Sequence, residues 1–223
     1  FLLVPGRLTA SFTGSDAAWS TVRSAVSDWI GRMRREPVRD AAFGFAPFER
    51  PPREGLAAAI QVAHCAQVLP APHFSHPDEP WLTLGARLVN LDYMISEIRF
   101  KGNAYGAWCN YDAFNGTLNL GSYNDPHVAR TLGVFDGIAD YVCRADWSQT
   151  DVDRAIIGTA KSFVRPIRPG SATGEALRDY LTGQTPEVRE QRYRLMLTAT
   201  PQRLKQALLD ALEAGLGRGA VCV

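Results

Sequence analysis

The stretch "EIRFKGNAYGAWCNYDAFNGTLNLGSYNDP", residues 97–126, decides the fold predicted for this chain. Its first residues end a helical pattern, and two segments with alternating apolar residues follow at 104–111 and 117–123. The pair Asn115-Gly116 between them is typical of a tight primed turn, because both residue types tolerate positive φ. The stretch therefore predicts a helix, a sharp corner and a β-hairpin.

Helical periodicity lies on both sides of this hairpin. A long helix is predicted over 79–99, with Asp78 before it and Pro80 in its first turn, and an apolar strand over 55–69 precedes it. Further helices are predicted to begin at Asp125-Pro126, at a Ser148–Asp151 capping box and at Thr200-Pro201. The remaining predicted elements are a strand over 6–14, a helix after Asp16, helices over 173–182 and 186–196, and a strand at the terminal "AVCV". This order predicts an α+β fold with an antiparallel-rich sheet and helices packed on one face.

The chain divides at a proline-rich segment. Residues 37–54 carry four prolines and no period, which is typical of a linker. Residues 1–36 are then the tail of a preceding domain, a strand plus a helix, and residues 55–223 form the main domain. The helix of the tail has apolar residues at helical spacing that we expect to face inward, namely Trp19, Val22, Val26, Trp29, Ile30 and Met33.

Composition and charge exclude several classes of protein. The chain has 223 residues, 46% of them hydrophobic, and a formal net charge of +1. This near-neutral balance argues against nucleic acid as the main partner, because phosphate binding needs a basic face. No apolar run approaches the roughly 20 residues of a membrane span, so no membrane partner is expected. The chain begins at Phe1 without the features of a signal peptide, and we expect it to be a segment of a longer polypeptide.

Residue usage also indicates a source and a compartment. Arginine heavily outnumbers lysine, which we interpret as the codon bias of a GC-rich bacterial genome. We therefore expect a bacterial cytoplasmic protein. The four cysteines are scattered without a C-x-x-C pair, and we expect them to be reduced.

A metal site has one candidate cluster, formed by His64, Cys65, His73 and His76. The His73-x-x-His76 spacing suits zinc, but the loop is rich in proline and no further ligand pair follows at a finger-like interval. The cluster is either a small zinc module or a set of loop and strand-end residues, and we favour the second interpretation. The chain lacks H-E-x-x-H, H-x-x-E-H, G-x-S-x-G, a phosphate loop and a dinucleotide fingerprint. It therefore has no self-sufficient active site.

Arg99 and Tyr105 on either side of the corner allow two interpretations. In the structural one, Arg99 stabilises the negative end of its helix and Tyr105 begins a half-buried strand. In the functional one, Gly102 and Ala104 let the backbone approach a substrate while Arg99 and Tyr105 donate hydrogen bonds. Such donors stabilise a carbonyl oxygen that becomes negative during acyl transfer. Spacing alone favours the structural interpretation.

A family resemblance changes this balance. Residues 93–142 resemble the last domain of presequence-protease-type metallopeptidases, a branch of the insulinase/pitrilysin superfamily. The matching features are an E-I-R-x-K-G-x-A-Y-G corner, an N-G hairpin and S-Y-x-D-P before a helix. The resemblance extends through most of 55–214, and residues 1–36 look like the closing strand and helix of the third domain of this family.

The resemblance implies a clamshell of four homologous α+β domains, mitochondrial-processing-peptidase-like in fold, whose closed chamber degrades unfolded peptides. Zinc is held by an inverted motif in the first domain, so the metal of the full-length enzyme belongs to the absent N-terminal half and none is expected in this fragment. An arginine and a tyrosine of the C-terminal half reach the bound substrate, and these positions correspond to Arg99 and Tyr105. The implied substrate-binding positions are Gly102, Asn103, Ala104, Tyr123 and Asn124. Asn103 stands where the family usually has glycine, and Trp108 replaces a small residue.

The expected function is therefore that of a C-terminal fragment of a zinc endopeptidase. Its expected partners are the N-terminal half of the same polypeptide and peptide substrates. Because H-x-x-E-H is absent, we expect the fragment to be inactive alone. The alternative is a non-catalytic binding or assembly subunit of the same fold.

Overall fold

A computed structural model describes residues 4–37, 50–163 and 166–223, apart from the side chains of residues 162 and 163. The first regular element is a short 3-10 turn at Pro5–Arg7. In chain order it is followed by α1 (Asp16–Gly31), β1 (Arg53–Glu54), β2 (Ala63–Pro70), α2 (Glu79–Val89), a π-helix (Asn90–Phe100), β3 (Gly106–Asp112), β4 (Thr117–Asp125), α3 (Val128–Asp136), α4 (Ile138–Arg144), α5 (Gln149–Phe163), α6 (Pro169–Thr182), α7 (Pro186–Leu197), α8 (Pro201–Gly215) and β5 (Ala220–Cys222). None of the described helices has the length and apolar character needed to cross a bilayer.

The chain forms two compact units. The first comprises residues 1–47 with 165–186, and the second comprises residues 48–164 with 187–223. The predicted linker at 37–54 lies largely outside the described residues. The three-part domain division therefore stays a prediction.

The first unit contains α1 and α6. Helix α1 begins after Ser15, whose side chain accepts a hydrogen bond from the Ala18 amide, so the cap is one residue earlier than the predicted Asp16. The strand predicted over 6–14 is wrong, because its described residues adopt a 3-10 turn and irregular backbone. A strand needs a hydrogen-bonding neighbour, and the described residues of this unit contain none. For the same reason α1 has no sheet to pack on, and Trp19 and Trp29 of its predicted inner face are about half exposed.

The second unit is built on a five-stranded sheet in the order β1-β5-β2-β4-β3. Strands β1 and β5 pair in parallel and every other pair is antiparallel, which confirms the predicted antiparallel-rich sheet. Two strand boundaries differ from the prediction. Arg53 and Glu54 of the predicted linker pair with Val221 and Cys222, and the strand predicted to start at residue 55 starts at Ala63. The stretch before Ala63 is rich in alanine, a residue that is depleted in strands.

Burial alternates along the central strands, so helices cover one face of the sheet and leave the other open. The covered face carries Cys65, Leu69, Cys109, Leu118 and Leu120, all buried. These residues belong to one core with buried side chains from the surrounding helices, among them Leu84, Met94, Phe135, Ile138, Leu204, Leu208 and Leu212. The predicted helical layer on one face is thereby confirmed.

The predicted long helix over 79–99 is confirmed, but it changes its winding part-way. From Asn90 the backbone is π-helical, and each turn takes in about one residue more than an α-turn. The buried positions therefore shift: Val89 and Met94, five apart, are fully buried, whereas the predicted inner residue Leu91 is 48% exposed. Ile98 then faces the core at the end of the π-helix.

The predicted hairpin is confirmed, and its predicted primed turn is wrong. Asp112 pairs with Thr117, so the connection has four residues, and of the Asn115-Gly116 pair only Gly116 has positive φ, at 61°. The Asp112 carboxylate accepts hydrogen bonds from the amides of Phe114 and Asn115 at 3.0 and 3.1 Å. These bonds stabilise the wider loop, so the two-residue turn is not needed.

Three predicted helix starts have different outcomes. Asp125 ends β4 and is not the N-cap of α3, which begins at Val128; its carboxylate instead accepts hydrogen bonds from the His127 amide and the Thr131 hydroxyl. The capping box that opens α5 is confirmed, because Ser148 and Asp151 hydrogen-bond each other reciprocally. Helix α8 begins after Thr200, as predicted, and the Thr200 hydroxyl accepts from the Arg203 amide at 3.3 Å.

Candidate functional site

The corner between the π-helix and β3 is shaped by Gly102 and Asn103. A Cβ atom at Gly102 would lie 2.5 Å from the Ile98 carbonyl oxygen, so a side chain cannot be accommodated without moving the backbone. Asn103 has a φ of 58°, a left-handed conformation that asparagine tolerates better than most residues. The Ala104 amide then donates to the Ile98 carbonyl at 3.1 Å and closes the corner. Asn103 thus adopts a conformation that glycine adopts more readily than other residues.

Tyr105 leaves the corner next to the end of β4. Its amide donates to the Asn124 carbonyl at 3.2 Å, which extends the β3–β4 pairing by one bond. Asn124 itself has a φ of 48°, and the β2–β4 register shifts between Ala63 and Cys65, so an irregularity lies at this end of the sheet. Bulges of this kind re-aim side chains near strand ends. The predicted site residues Tyr105 and Asn124 are thereby joined by one backbone hydrogen bond.

Both predicted donors point to solvent. Arg99 is exposed and its guanidinium carbon lies 5.9 Å from the centroid of the Phe100 ring. Tyr105 is 71% exposed, and its ring meets Tyr123 edge-on at 5.8 Å. The structural interpretation expected a half-buried tyrosine, whereas this phenol is presented to solvent. Two hydrogen-bond donors are therefore available to a ligand at this corner.

Buried and charged groups of β4, α3 and the π-helix stabilise the backbone of the corner. Asp125 is 1% exposed, and its two hydrogen bonds tie the end of β4 to the first turn of α3. From the same helix, Arg130 donates to the Lys101 carbonyl at 2.6 Å, and Lys101 pairs with Glu97 one turn earlier. These contacts fix the backbone on both sides of Gly102. The segment that carries Arg99 and Tyr105 therefore has a defined position.

His64 is a residue of this site that sequence reasoning assigned elsewhere. Its ring lies 4.9 Å from that of Tyr123, which extends the aromatic contacts from Tyr105 to Tyr123 to His64. The only signal in the sequence was its position within the strand predicted over 55–69, and cross-strand neighbours of that strand cannot be read from spacing.

The candidate metal cluster is divided by the fold. His64 and Cys65 lie at the start of β2, whereas His73 and His76 follow its end. A strand of this length separates the two pairs by roughly 25 Å at about 3.3 Å per residue. Burial also raises the pKa of the Cys65 thiol, which disfavours the thiolate that zinc requires. In the part of the chain that the structure describes, no group of three or more His, Cys, Asp or Glu side chains could hold a metal ion. The interpretation of these four residues as one zinc module is wrong.

Comparison with known proteins decides the family. The profile of the PreP C-terminal domain matches residues 79–214, more than half of the chain. The chain belongs to the PreP C-terminal domain family. It is thus a C-terminal domain of a presequence-protease-like member of the insulinase/pitrilysin superfamily.

Individual relatives agree with this assignment. A mitochondrial presequence protease from Eremothecium gossypii is 31% identical over 153 residues, which cover 68% of this chain and 15% of that protein. The structure of a peptidase M16 inactive domain from Pseudomonas fluorescens matches with a TM-score of 0.69 and 16% identity, over 94% of this chain and 50% of that one. The structure of pitrilysin matches with a TM-score of 0.64 and 14% identity, over 94% of this chain and 23% of that one. The two structures show the fold alone.

These relatives correct one prediction and limit another. The expected bacterial cytoplasmic location is contradicted, because the matched curated proteins are mitochondrial presequence proteases. Codon bias is a weak guide to compartment, since many kinds of genome share it. This PreP C-terminal domain also spans only 15% of the Eremothecium gossypii protein, so the activity of a whole protease is a matter for proposal.

Proposed function

We propose that this chain is the C-terminal part of a zinc metalloendopeptidase that degrades unfolded peptides inside a closed chamber. In this proposal the upstream part of the polypeptide binds the zinc, and this part binds substrate and supplies hydrogen-bond donors to the transition state. The observation that carries the proposal is the corner at Gly102 and Asn103, where a braced backbone presents Arg99 and Tyr105 to solvent.

The chemistry of the two donors suits this role. Attack on a peptide carbonyl places negative charge on its oxygen, and a guanidinium and a phenol donate hydrogen bonds to that charge. Arginine keeps its proton at any relevant pH, so its contribution does not depend on an added acid. Gly102 and Ala104 are both buried and present no side chain to solvent, so neither obstructs a peptide that approaches the donors. Asn103, Tyr123 and Asn124 are the further groups proposed to line this position.

In this proposal the donors and the metal lie on separate parts of the polypeptide. The donors therefore act only when the enzyme encloses its substrate. Enclosure of this kind excludes water and completes the catalytic arrangement in one step. It explains why a fragment with well-placed donors has no nucleophile or general base of its own, and why we expect it to be inactive alone.

The test uses the full-length polypeptide and an unstructured peptide substrate. We expect cleavage that a chelator abolishes, and Arg99→Ala should lower kcat by at least about tenfold, since one such donor contributes roughly 10²–10³. Arg218→Ala is the matched control, because Arg218 is an exposed arginine that takes no part in the corner. An unchanged kcat for Arg99→Ala, or equal losses in both variants, contradicts the proposed role.

A non-catalytic binding or assembly subunit is the competing function. The resemblance to a peptidase M16 inactive domain is the observation that favours it. The two proposals differ in the full-length reading frame: H-x-x-E-H upstream of this chain supports the protease, and its absence supports the subunit.

A further inference from the structure

The open face of the sheet carries two large aromatic side chains beside the proposed donors. Trp108 on β3 is 39% exposed and Tyr123 on β4 is 44% exposed, although both lie in paired rows of the hairpin, Tyr123 in the first row beside the corner and Trp108 further along. Neither ring is part of the core, which lies on the other face. Large exposed rings close together on a sheet indicate a surface that contacts something else.

Trp108 has a built seat on this face. It pairs directly with Gly121, and a Cβ atom at Gly121 would lie 2.1 Å from Cζ2 of the indole. The indole therefore lies directly against the Gly121 backbone, which explains why Gly121 is buried on an otherwise open face. A tryptophan held against a sheet in this way has a restricted position, and the rest of its ring is exposed to solvent.

The two rings adjoin the candidate site. Gly106 pairs with Tyr123 and Trp108 pairs with Gly121, so the two aromatic residues are diagonal neighbours on one face. Such neighbours have Cα atoms roughly 7–8 Å apart, within reach of large rings. Tyr123 in turn meets Tyr105 at 5.8 Å. The aromatic surface of Trp108 and Tyr123 is thus continuous with one of the two proposed donors.

The residues around these rings define what would bind there. The strand positions around Trp108 on the open face are occupied by uncharged side chains, namely Ala66, Val68, Asn110 and Asn119, whereas the His64 ring lies beside Tyr123. A charged group would find no counter-charge among them. An apolar or aromatic group would instead stack on the indole and exclude water from both rings.

We propose that Trp108, seated on Gly121, and Tyr123 form a subsite for one aromatic or large aliphatic side chain of the peptide substrate. The subsite selects a residue close to the bond that Arg99 and Tyr105 serve. This inference rests on the proposed function, because it takes the peptide to lie at the corner. It adds a specificity that the donors alone do not provide, since they contact the peptide backbone.

The experiment uses the full-length enzyme and one unstructured parent peptide with a single mapped cleavage site. Phenylalanine is placed in turn at the three positions on each side of that site, with alanine at the same positions as reference. At one position, Trp108→Ala should lower kcat/KM for the phenylalanine peptide by about three- to tenfold, with less than about a twofold change for the alanine peptide. The loss should appear mainly in KM.

Two further variants keep the test decisive. Gly121→Ala retains the indole but displaces it from its seat, so it should reduce the preference for phenylalanine at the same position as Trp108→Ala does. Asn110→Ala, on the same strand face, should leave the preference unchanged. Thermal unfolding of each variant checks that the fold is kept.

The outcomes separate this inference from the proposed function. If Arg99→Ala lowers kcat on every peptide while Trp108→Ala and Gly121→Ala show no preference between phenylalanine and alanine, the subsite is rejected and the proposed function stands. If Arg99→Ala leaves kcat unchanged, the proposed function itself fails. A selective loss at one position in both Trp108→Ala and Gly121→Ala supports the subsite.

Discussion

The two ends of the β3–β4 hairpin place tyrosines six residues apart in opposite environments. Tyr111, near the turn, is partly buried, and its hydroxyl donates to the Pro72 carbonyl at 2.7 Å. Tyr105, at the corner, is 71% exposed. Burial, together with the negative charge of Glu79, raises the pKa of Tyr111 above its ordinary value. A tyrosine side chain therefore stabilises the fold at one end of the hairpin, and another is available to a ligand at the other end.

The surroundings of the two tyrosines show why. At the turn end, the loop after β2 closes over the hairpin: the Ala71 amide donates to the Gly116 carbonyl at 2.8 Å, and Phe74 donates to Ala113 at 2.7 Å. At the corner end the chain enters from a helix, and the backbone bond from Tyr105 to Asn124 leaves the side chains on the outside. A covered strand end contributes to stability, and an uncovered one leaves its polar groups free for recognition.

The largest effect is expected from Tyr105→Phe in the full-length enzyme. Removal of one transition-state donor should lower kcat by about 10- to 100-fold, while KM and the melting temperature change little because the hydroxyl lies in solvent. Steady-state kinetics and thermal unfolding measure both. Tyr180→Phe is the matched control, since Tyr180 on α6 is 73% exposed. A loss of stability without a loss of kcat would show that Tyr105 stabilises the fold and is not a transition-state donor.

A smaller effect is expected from Tyr111→Phe, and it should appear in stability and not in activity. Loss of the hydrogen bond to Pro72 should lower the free energy of unfolding by about 1 kcal/mol, because the carbonyl loses its donor. Activity of the full-length enzyme should stay within about twofold. Urea unfolding of the 223-residue chain measures the change. Equal stability of Tyr111→Phe and the parent chain would show that the turn end is not the more stabilising one.

The pH dependence of Tyr111 gives this comparison a second measurement. The pKa of Tyr111 is raised in the folded state. Its contribution to the free energy of unfolding is therefore fully present below the unfolded pKa of about 10 and is lost as the pH rises toward the folded pKa. The parent chain should therefore lose more stability than Tyr111→Phe when the pH is raised above about 10. Parallel curves for the two proteins would contradict this.

The smallest effect is expected from Asp112→Asn at the turn. Although burial raises the pKa of Asp112, hydrogen bonds from the amide and side chain of Asn115 and from the Phe114 amide lower it overall. Because the pKa is lower in the folded state, the ionised carboxylate stabilises the fold at pH values above its unfolded pKa of about 4. This stabilisation is lost as the pH falls through the folded pKa. We expect the parent chain to exceed Asp112→Asn by a few tenths of a kcal/mol to about 1 kcal/mol at pH 7, because water screens the carboxylate. The difference should disappear near pH 2. Unfolding curves across this range provide the measurement.

Local elements were largely predictable because their causes are local. The helix over 79–99, the hairpin, the Ser148–Asp151 box and the α8 start at Thr200 follow from periodicity and from side chains that bond their own backbone. The errors occur where a distant partner decides. Arg53 and Glu54 become strand only because Val221 and Cys222 are there to pair with them.

The candidate site was predictable in part. Spacing and a family resemblance indicated Arg99 and Tyr105, and the left-handed Asn103 agrees with the departure from glycine at that position. The contact of His64 with Tyr123 could not be predicted, because it joins β2 and β4, which lie far apart in sequence. The seat of Trp108 on Gly121 was missed because it depends on the four-residue connection of the hairpin, and the predicted two-residue turn gives another register. The functional assignments of all these residues remain predictions that the variants above test.

The sequence by itself determined the helical and extended segments, the capping residues and the corner, since these depend on a few neighbouring side chains and on backbone sterics. Only the tertiary structure decided which side chains lie together and which are exposed. It separated His64 and Cys65 from His73 and His76 by the length of a strand, and it buried Tyr111 while it exposed Tyr105. The physical reason is that contacts across a sheet and between helices join residues far apart along the chain, and no local pattern carries that information.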